Sequence, residues 1–416
     1  MNSELFHSVT LDKDKCKGCI HCMRGCPTEA IRVRQGKAAI NPNLCVDCGE
    51  CIRKCPNHAK KAVTTSLDSI KNYKWSIALP APSFYGQFNN LDDINYVLQG
   101  LIELGFDDVY EVSKAAEMIS DLTRQLLSSG KLRTPVISSA CPAVVRLIQV
   151  RFPHLCENVL PIIAPVELAA ILARKKAMEE KGFKEDEIGI FFISPCPAKV
   201  TNAFSPIGFS YNVIDGAISA TEVYKKIVNH MNKLQNPPSL ISSGIVGISW
   251  AGSGGESAAL LKEKYLAADG IENVTKVLEE VEDGRLDNLD FIELNACPGG
   301  CVGGVLNFEN PFVARTRLNR LRKYLPISCN KLASDTDERY HWKKDLKYNS
   351  ALKLSNDVSK ALQIENQIEQ FVECLPGLDC GCCGAPSCRA FAQDVITGIA
   401  DEQDCVILYR NSLNLK

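Results

Sequence analysis

Two runs of cysteine with identical spacing constrain this chain more than any other feature. Cys16, Cys19, Cys22 and Cys26-Pro27 form C-x-x-C-x-x-C-x-x-x-C-P, and Cys45, Cys48, Cys51 and Cys55-Pro56 repeat it. Twenty cysteines in 416 residues would suit a disulfide scaffold in a short secreted chain. Here most thiols stand in tight C-x-x-C runs, and the N-terminus MNSELFHSVTLDKDKC has no apolar signal core. Metal clusters are therefore the better reading.

The duplicated run has the spacing of the bacterial two-cluster ferredoxins, in which the fourth cysteine of each set ligates the other cluster. It assigns Cys16, Cys19, Cys22 and Cys55 to one 4Fe–4S cluster and Cys45, Cys48, Cys51 and Cys26 to a second, within a domain spanning 1–66. Zinc is the competing reading, and two four-cysteine runs that each end in Cys-Pro argue against it.

From Lys74 the pattern changes to strands alternating with amphipathic helices, the signature of an α/β domain with a mostly parallel sheet. Expected strands are Trp75–Leu79, Asp108–Val112, Val136–Ser139, Ile188–Ile193, Ile245–Ile248 and Leu289–Leu294. Expected helices are Ile94–Leu104, Ala115–Leu127, Ala143–Val150, Pro165–Glu179, Ala220–Asn232 and Ser257–Ala267. Three cysteine segments follow apolar runs in this domain, assigned to 67–345: VISSACP at Cys141, FFISPCPAK at Cys196 and IELNACPGGC at Cys297 and Cys301. The carboxyl ends of parallel strands converge on one crevice, so these four thiols can meet and hold one more 4Fe–4S cluster. The glycines of CPGGC, and Gly252 to Gly255, permit close backbone approach around it. The Gly252–Gly255 stretch lacks the lysine and spacing of a phosphate loop.

The remaining residues, 346–416, read as a linker helix through Leu362–Phe371 and a small helical domain. The polar stretch leading into it begins near Lys331. Cys380, Cys383 and Cys388, with Cys405 brought back by an intervening helix, can hold a further 4Fe–4S cluster. Cys382 competes with Cys383 for the second ligand position. The whole is a multidomain α+β and α/β chain.

SSACP, SPCPAK and ELNACPGGC resemble the three signatures of the iron-only (FeFe) hydrogenases, in the right order, and PAPSF at Pro80 to Phe84 and SWAGSGGESAA at Ser249 to Ala259 fit the same pattern. The resemblance covers about Trp75 to Leu325. It implies an H-cluster: a 4Fe–4S cluster on Cys141, Cys196, Cys297 and Cys301, with Cys301 bridging to a two-iron site carrying carbonyl, cyanide and azadithiolate ligands. It also implies that Lys199 donates to a cyanide. Ala81, Pro82 and Ser194 take places in the cofactor pocket.

The departures from that family are as informative. Ala140 stands where efficient members have a proton-relaying cysteine, and alanine cannot titrate. The helix after FDDVY, where the family has glutamates, reads MISDLTRQLL from Met118. Ser194 and Asn295 replace methionines of the family. Glu256 and Glu293 are the expected substitutes for the lost route, since a proton relay needs ionisable groups in hydrogen-bond reach.

The resemblance therefore implies reversible interconversion of dihydrogen with protons and electrons, slow because of Ala140, as in the branch of the family read as sensory. A ferredoxin-like or other redox protein, maturation proteins for the two-iron site and a separate signalling protein are the implied partners. A non-catalytic iron–sulfur scaffold or electron carrier without the two-iron site is the alternative. A net charge of −2 with dispersed charges gives no reason to expect nucleic acid or an anionic membrane. No apolar run reaches membrane-spanning length, and the expected location is the cytoplasm.

Overall fold

A computed structural model describes residues 6–332 and 340–413. The part of the expected polar linker at 333–339 lies outside the described residues. The chain forms two compact units. The larger holds residues 63–347 together with the N-terminal residues to Ser8 and Val46–Gly49; the smaller holds Val9–Cys45, Glu50–Ala62 and Tyr348–Lys416.

Two parallel sheets organise the larger unit. In the first, the strand order is Asp108–Val109, Trp75–Pro80, Ile188–Ser194, Gly216–Ser219. Every residue of Ile188–Ser194 is buried, as expected of a strand covered by helices on both faces. In the second, Phe291–Asn295 is central, flanked by Tyr265–Asp269 and Val136–Ile137. Burying each large aliphatic side chain of such strands contributes about 1.5–3 kcal/mol.

The helices follow the expected series closely: Asn95–Glu103, Val112–Ser128, Pro142–Arg151, Pro165–Lys181 and Ala220–Met231. Two segments differ. Ile245–Ile248, expected as a strand, is the helix Ile245–Ser249. A four-residue run has no readable period, and here the Ile245 and Val246 N–H groups bond to the Pro326 and Ile327 carbonyls. The expected helix Ser257–Ala267 is only Gly255–Ala259. Leu261 turns with φ +55°, and Tyr265–Asp269 then pairs along the whole of Phe291–Asn295. Sheet pairing overrides the helix preference of Leu and Ala there. The short strand Gly216–Ser219 and the helix Ile271–Glu282 have no counterpart in the sequence reading.

The smaller unit contains the antiparallel pairs Val9–Leu11 with Lys60–Ala62 and Ile31–Arg34 with Lys37–Ile40, and the cysteine-bearing helices His21–Arg24 and Glu50–Arg53. The C-terminal helices Val358–Cys374, Cys388–Ile396 and Val406–Ser412 belong to the same unit. Asp394, buried at 4% exposure, is bonded to Arg32 and Arg34 of the hairpin. Among the described residues, no helix is long and apolar enough to cross a membrane.

Candidate metal centre and cavity

The four thiols expected at the centre of the larger unit stand at the carboxyl ends of the two parallel sheets. Cys196 follows the Ile188–Ser194 strand and is the N-cap of the helix Pro197–Phe204. Cys141 follows Val136–Ile137 and is the N-cap of Pro142–Arg151. Proline fits the first helical turn because its missing N–H has no partner there anyway, so each Cys-Pro pair sets a thiol at the positive end of a helix. Cys297 follows Phe291–Asn295, and Cys301 opens the 3₁₀ turn Cys301–Gly303. Cys141 and Cys301 both face Cys196. Burial pushes the Cys196 thiol up to about 12 against the opposing pull of Lys199.

Glycine makes this convergence possible. Gly300 has φ +90°, and a Cβ on it would lie 2.4 Å from the Ser253 amide nitrogen. The CPGGC turn therefore stacks directly on the Gly252–Gly255 loop, and Ser253 N donates to Gly299 O at 3.0 Å. Val46–Gly49, which carries Cys48, packs here as well: a Cβ on Gly49 would lie 3.3 Å from Pro197 Cδ and 2.7 Å from Val305 Cγ2.

Beside Cys301 lies a cavity that is partly open to solvent. Ala81, Pro82, Ala140, Lys199, Cys301, Glu256, Glu293 and Asn295 are among the residues that line it. Lys199 Nζ is 3.3 Å from Cys301 Sγ. Burial opposes the lysine's charge, but Cys301, Cys196 and Cys141 together hold its pKa above the ordinary value.

Glu256 and Glu293 are 5% and 3% exposed. Burial, then the neighbouring Glu293, pushes the Glu256 carboxyl up to about 8. Burial raises Glu293 too, against hydrogen bonds from Gly254 N at 2.9 Å, Ser257 N at 2.8 Å and Asn295 Nδ2 at 2.9 Å. Ser138 Oγ lies 2.8 and 2.7 Å from the two Glu256 oxygens and accepts from Ala140 N at 3.2 Å.

Ser194 has another surrounding. It is fully buried and donates to the Cys196 carbonyl at 3.0 Å, beneath the cysteine turn. On the helix Val112–Ser128, the buried Glu117 accepts from Gly244 N, Cys329 N and Asn330 N, while Asp121 pairs with Arg124.

Two residues escaped the sequence reading. Ser83 lies within PAPSF and Ser138 within VISSACP, so both were in view, but a serine in a motif carries no signal of direction. Ser83 lines the cavity, fully buried, and its hydroxyl has no hydrogen-bond partner. An orphaned hydroxyl and an ammonium aimed into one cavity fit a group with acceptor ligands, because buried polar atoms otherwise go unsatisfied at a cost.

In the smaller unit, Cys16, Cys19 and Cys55 face Cys22. Lys60 is 3% exposed, stands beside Cys22 and Cys55, and its ammonium has no hydrogen-bond partner. An unpartnered buried cation next to four thiols fits an anionic cluster. Further along, Cys380 and Cys405 face the half-buried Cys383, while Cys382 is exposed with its side chain against Cys380.

The family described as the iron-only hydrogenase large subunit, C-terminal domain, matches residues 74–305. A 4Fe–4S dicluster domain matches 8–56, and an iron–sulfur cluster family matches 375–407. The periplasmic Fe hydrogenase large subunit of Nitratidesulfovibrio vulgaris is 26% identical over 361 residues, spanning 72% of this chain and 86% of that protein. Iron hydrogenase 1 of Clostridium pasteurianum is 24% identical over 370 residues, spanning 71% of this chain and 64% of its own length. A solved FeFe-hydrogenase variant from Chlamydomonas reinhardtii aligns at TM-score 0.46 with 16% identity, covering 63% of this chain and 88% of that one.

Proposed function

Because the chain belongs to the iron-only hydrogenase family, we propose that it interconverts dihydrogen with protons and electrons in the cavity beside Cys301, slowly, as a sensor of hydrogen or redox state. The observation that carries this reading is the Lys199 ammonium 3.3 Å from Cys301 Sγ, both of them lining one cavity. Cys141, Cys196, Cys297 and Cys301 would hold a 4Fe–4S cluster, with Cys301 also the thiol at the two-iron group, which would carry carbonyl, cyanide and azadithiolate ligands. That group would supply the redox chemistry by which dihydrogen is interconverted with protons and electrons.

The protein's own residues do the rest. Lys199 and Ser83 would donate hydrogen bonds to that group's anionic ligands and so orient it. Ala140 has nothing to titrate, so protons move by another path. Glu256 takes up a proton near neutral pH, as its raised pKa allows, and the adjacent Glu293 accepts it in turn. A relay of carboxyls packed this tightly is slow to reset because only one of the pair readily carries charge. The cysteine sets of the smaller unit would hold the accessory 4Fe–4S clusters that carry electrons to a redox or signalling partner, and dedicated maturation proteins would install the two-iron group.

Infrared spectroscopy of protein loaded anaerobically with the two-iron cofactor tests this. Carbonyl and cyanide bands that shift under hydrogen are the expected result. Full iron loading with no such bands would leave a cluster scaffold in place of an enzyme.

A further inference from the structure

Within the smaller unit, two cysteine loops from opposite ends of the sequence meet. Gly381, between Cys380 and Cys382, has φ +76°, and a Cβ on it would lie 2.9 Å from Met23 Cε and 3.5 Å from Ile20 Cδ1. Ile20 stands between Cys19 and Cys22. The loop that binds the C-terminal cluster therefore rests on the loop expected to hold the Cys16–Cys19–Cys22–Cys55 cluster.

The contact is built rather than incidental. Arg24 Nη2 donates to the Cys380 carbonyl at 2.9 Å, and Val33 N donates to Gly384 O at 2.9 Å. A Cβ on Gly384 would lie 1.9 Å from Val33 O, so this approach requires glycine. Behind the loops, Asp394 accepts from Arg32 Nε at 2.7 Å, Arg32 Nη2 at 3.1 Å and Arg34 Nη2 at 2.6 Å. Paired, buried and bidentate, such a clamp fixes geometry as well as attachment.

We propose that the C-terminal cluster exchanges electrons directly with the cluster of Cys16, Cys19, Cys22 and Cys55, the arginine–Asp394 clamp holding the two in one electronic unit. A single electron passes, one cluster being oxidised as the other is reduced, with no bond or proton change. Any reductant of the ferredoxin pair supplies it, hydrogen in the function proposed above or a low-potential dye. Lys60 favours the reduced form of the ferredoxin cluster by offsetting its added negative charge, so the electron rests next to the C-terminal module. The module is then an electrical terminal; a structural cap would need no loop-to-loop contact.

The test uses the full chain, reconstituted with iron and sulfide and reduced by a photoexcited deazaflavin, so that it is independent of any hydrogen chemistry. Electron paramagnetic resonance is expected to show a broadened, fast-relaxing spectrum. In Cys405→Ser the ferredoxin signal should sharpen and relax more slowly. In the Arg32→Ala/Arg34→Ala variant iron content should hold while the coupling weakens. A wild-type spectrum that is the simple sum of the Cys405→Ser spectrum and an isolated cluster signal would overturn the proposal. That comparison decides the matter even if the arginine variant fails to fold.

Discussion

In the smaller unit sulfur atoms take hydrogen bonds from the backbone of the same module: Ala38 N to Cys16 at 3.4 Å, Ala59 N to Cys55 at 3.2 Å, Ala30 N to Cys26 at 3.3 Å. In the larger unit the bond to Cys301 comes from a side chain, Lys199, delivered by a segment about a hundred residues away in sequence. The amides that serve the first kind of site are present whatever residue carries them, so spacing largely specifies it, with Asn57 Nδ2 donating to Cys19 Sγ at 3.9 Å as a side-chain addition. The second kind depends on individual side chains that must be both correct and correctly aimed. Substitution should therefore damage the two regions very differently.

Lys199→Met should be the most damaging change. Removing one preorganised donor from a buried site typically costs about 10²–10³-fold in rate. Hydrogen turnover should fall at least that far while the visible iron–sulfur absorbance of the smaller unit stays at wild-type intensity. Loss of that absorbance too would erase the contrast.

Next in size is the carboxyl pair. Glu256→Gln with Glu293→Gln should lower turnover by about 10²-fold, the low end of what a positioned proton carrier contributes. The infrared bands should persist, since neither residue holds the cofactor. Unchanged turnover would sink the relay.

A smaller effect concerns stability and its pH dependence. Burial raises the Glu256 carboxyl from 4.5 to about 8 in the folded chain. The folded state thus binds more protons than the unfolded one between those values. Stability is greatest in the acid part of that window and falls as pH rises through it, by up to about 5 kcal/mol. Glu256→Gln should flatten that slope in chemical unfolding of the metal-free chain, and a slope identical to wild type would remove Glu256 as its source.

The smallest effect falls on the locally specified site. Lys60→Met should lower the midpoint potential of the Cys16–Cys19–Cys22–Cys55 cluster by tens of millivolts, read by a redox titration, without loss of iron. Loss of the cluster itself would show that side chains matter there as much as in the cavity.

The same contrast explains what was legible beforehand. The ferredoxin runs and the three cysteine segments are patterns of spacing, and the alternation of strands and helices around them is a pattern of period. Both survive in a single sequence. The pairing of Tyr265–Asp269 with Phe291–Asn295 does not, because Leu266, Ala267 and Ala268 carry no mark that a partner strand awaits them. Glu256 and Glu293 were suspected from their chemistry, but only the fold places both on one cavity. Ser83 and Ser138 were hidden for the opposite reason: their types are common, and only their burial and aim distinguish them. Glu117 shows the reverse hazard, since a buried carboxyl on the expected helix is occupied in holding the loops around Gly244 and Asn330.

The stacking of CPGGC on the Gly252–Gly255 loop has a consequence for the order of events in the cell. The residues that line the cavity run from Ala81 to Cys301, so the pocket cannot form before the chain has grown past Cys301, and contacts of such long sequence separation close late. A formed pocket is thereby a certificate that the chain from Ala81 to Cys301 has folded.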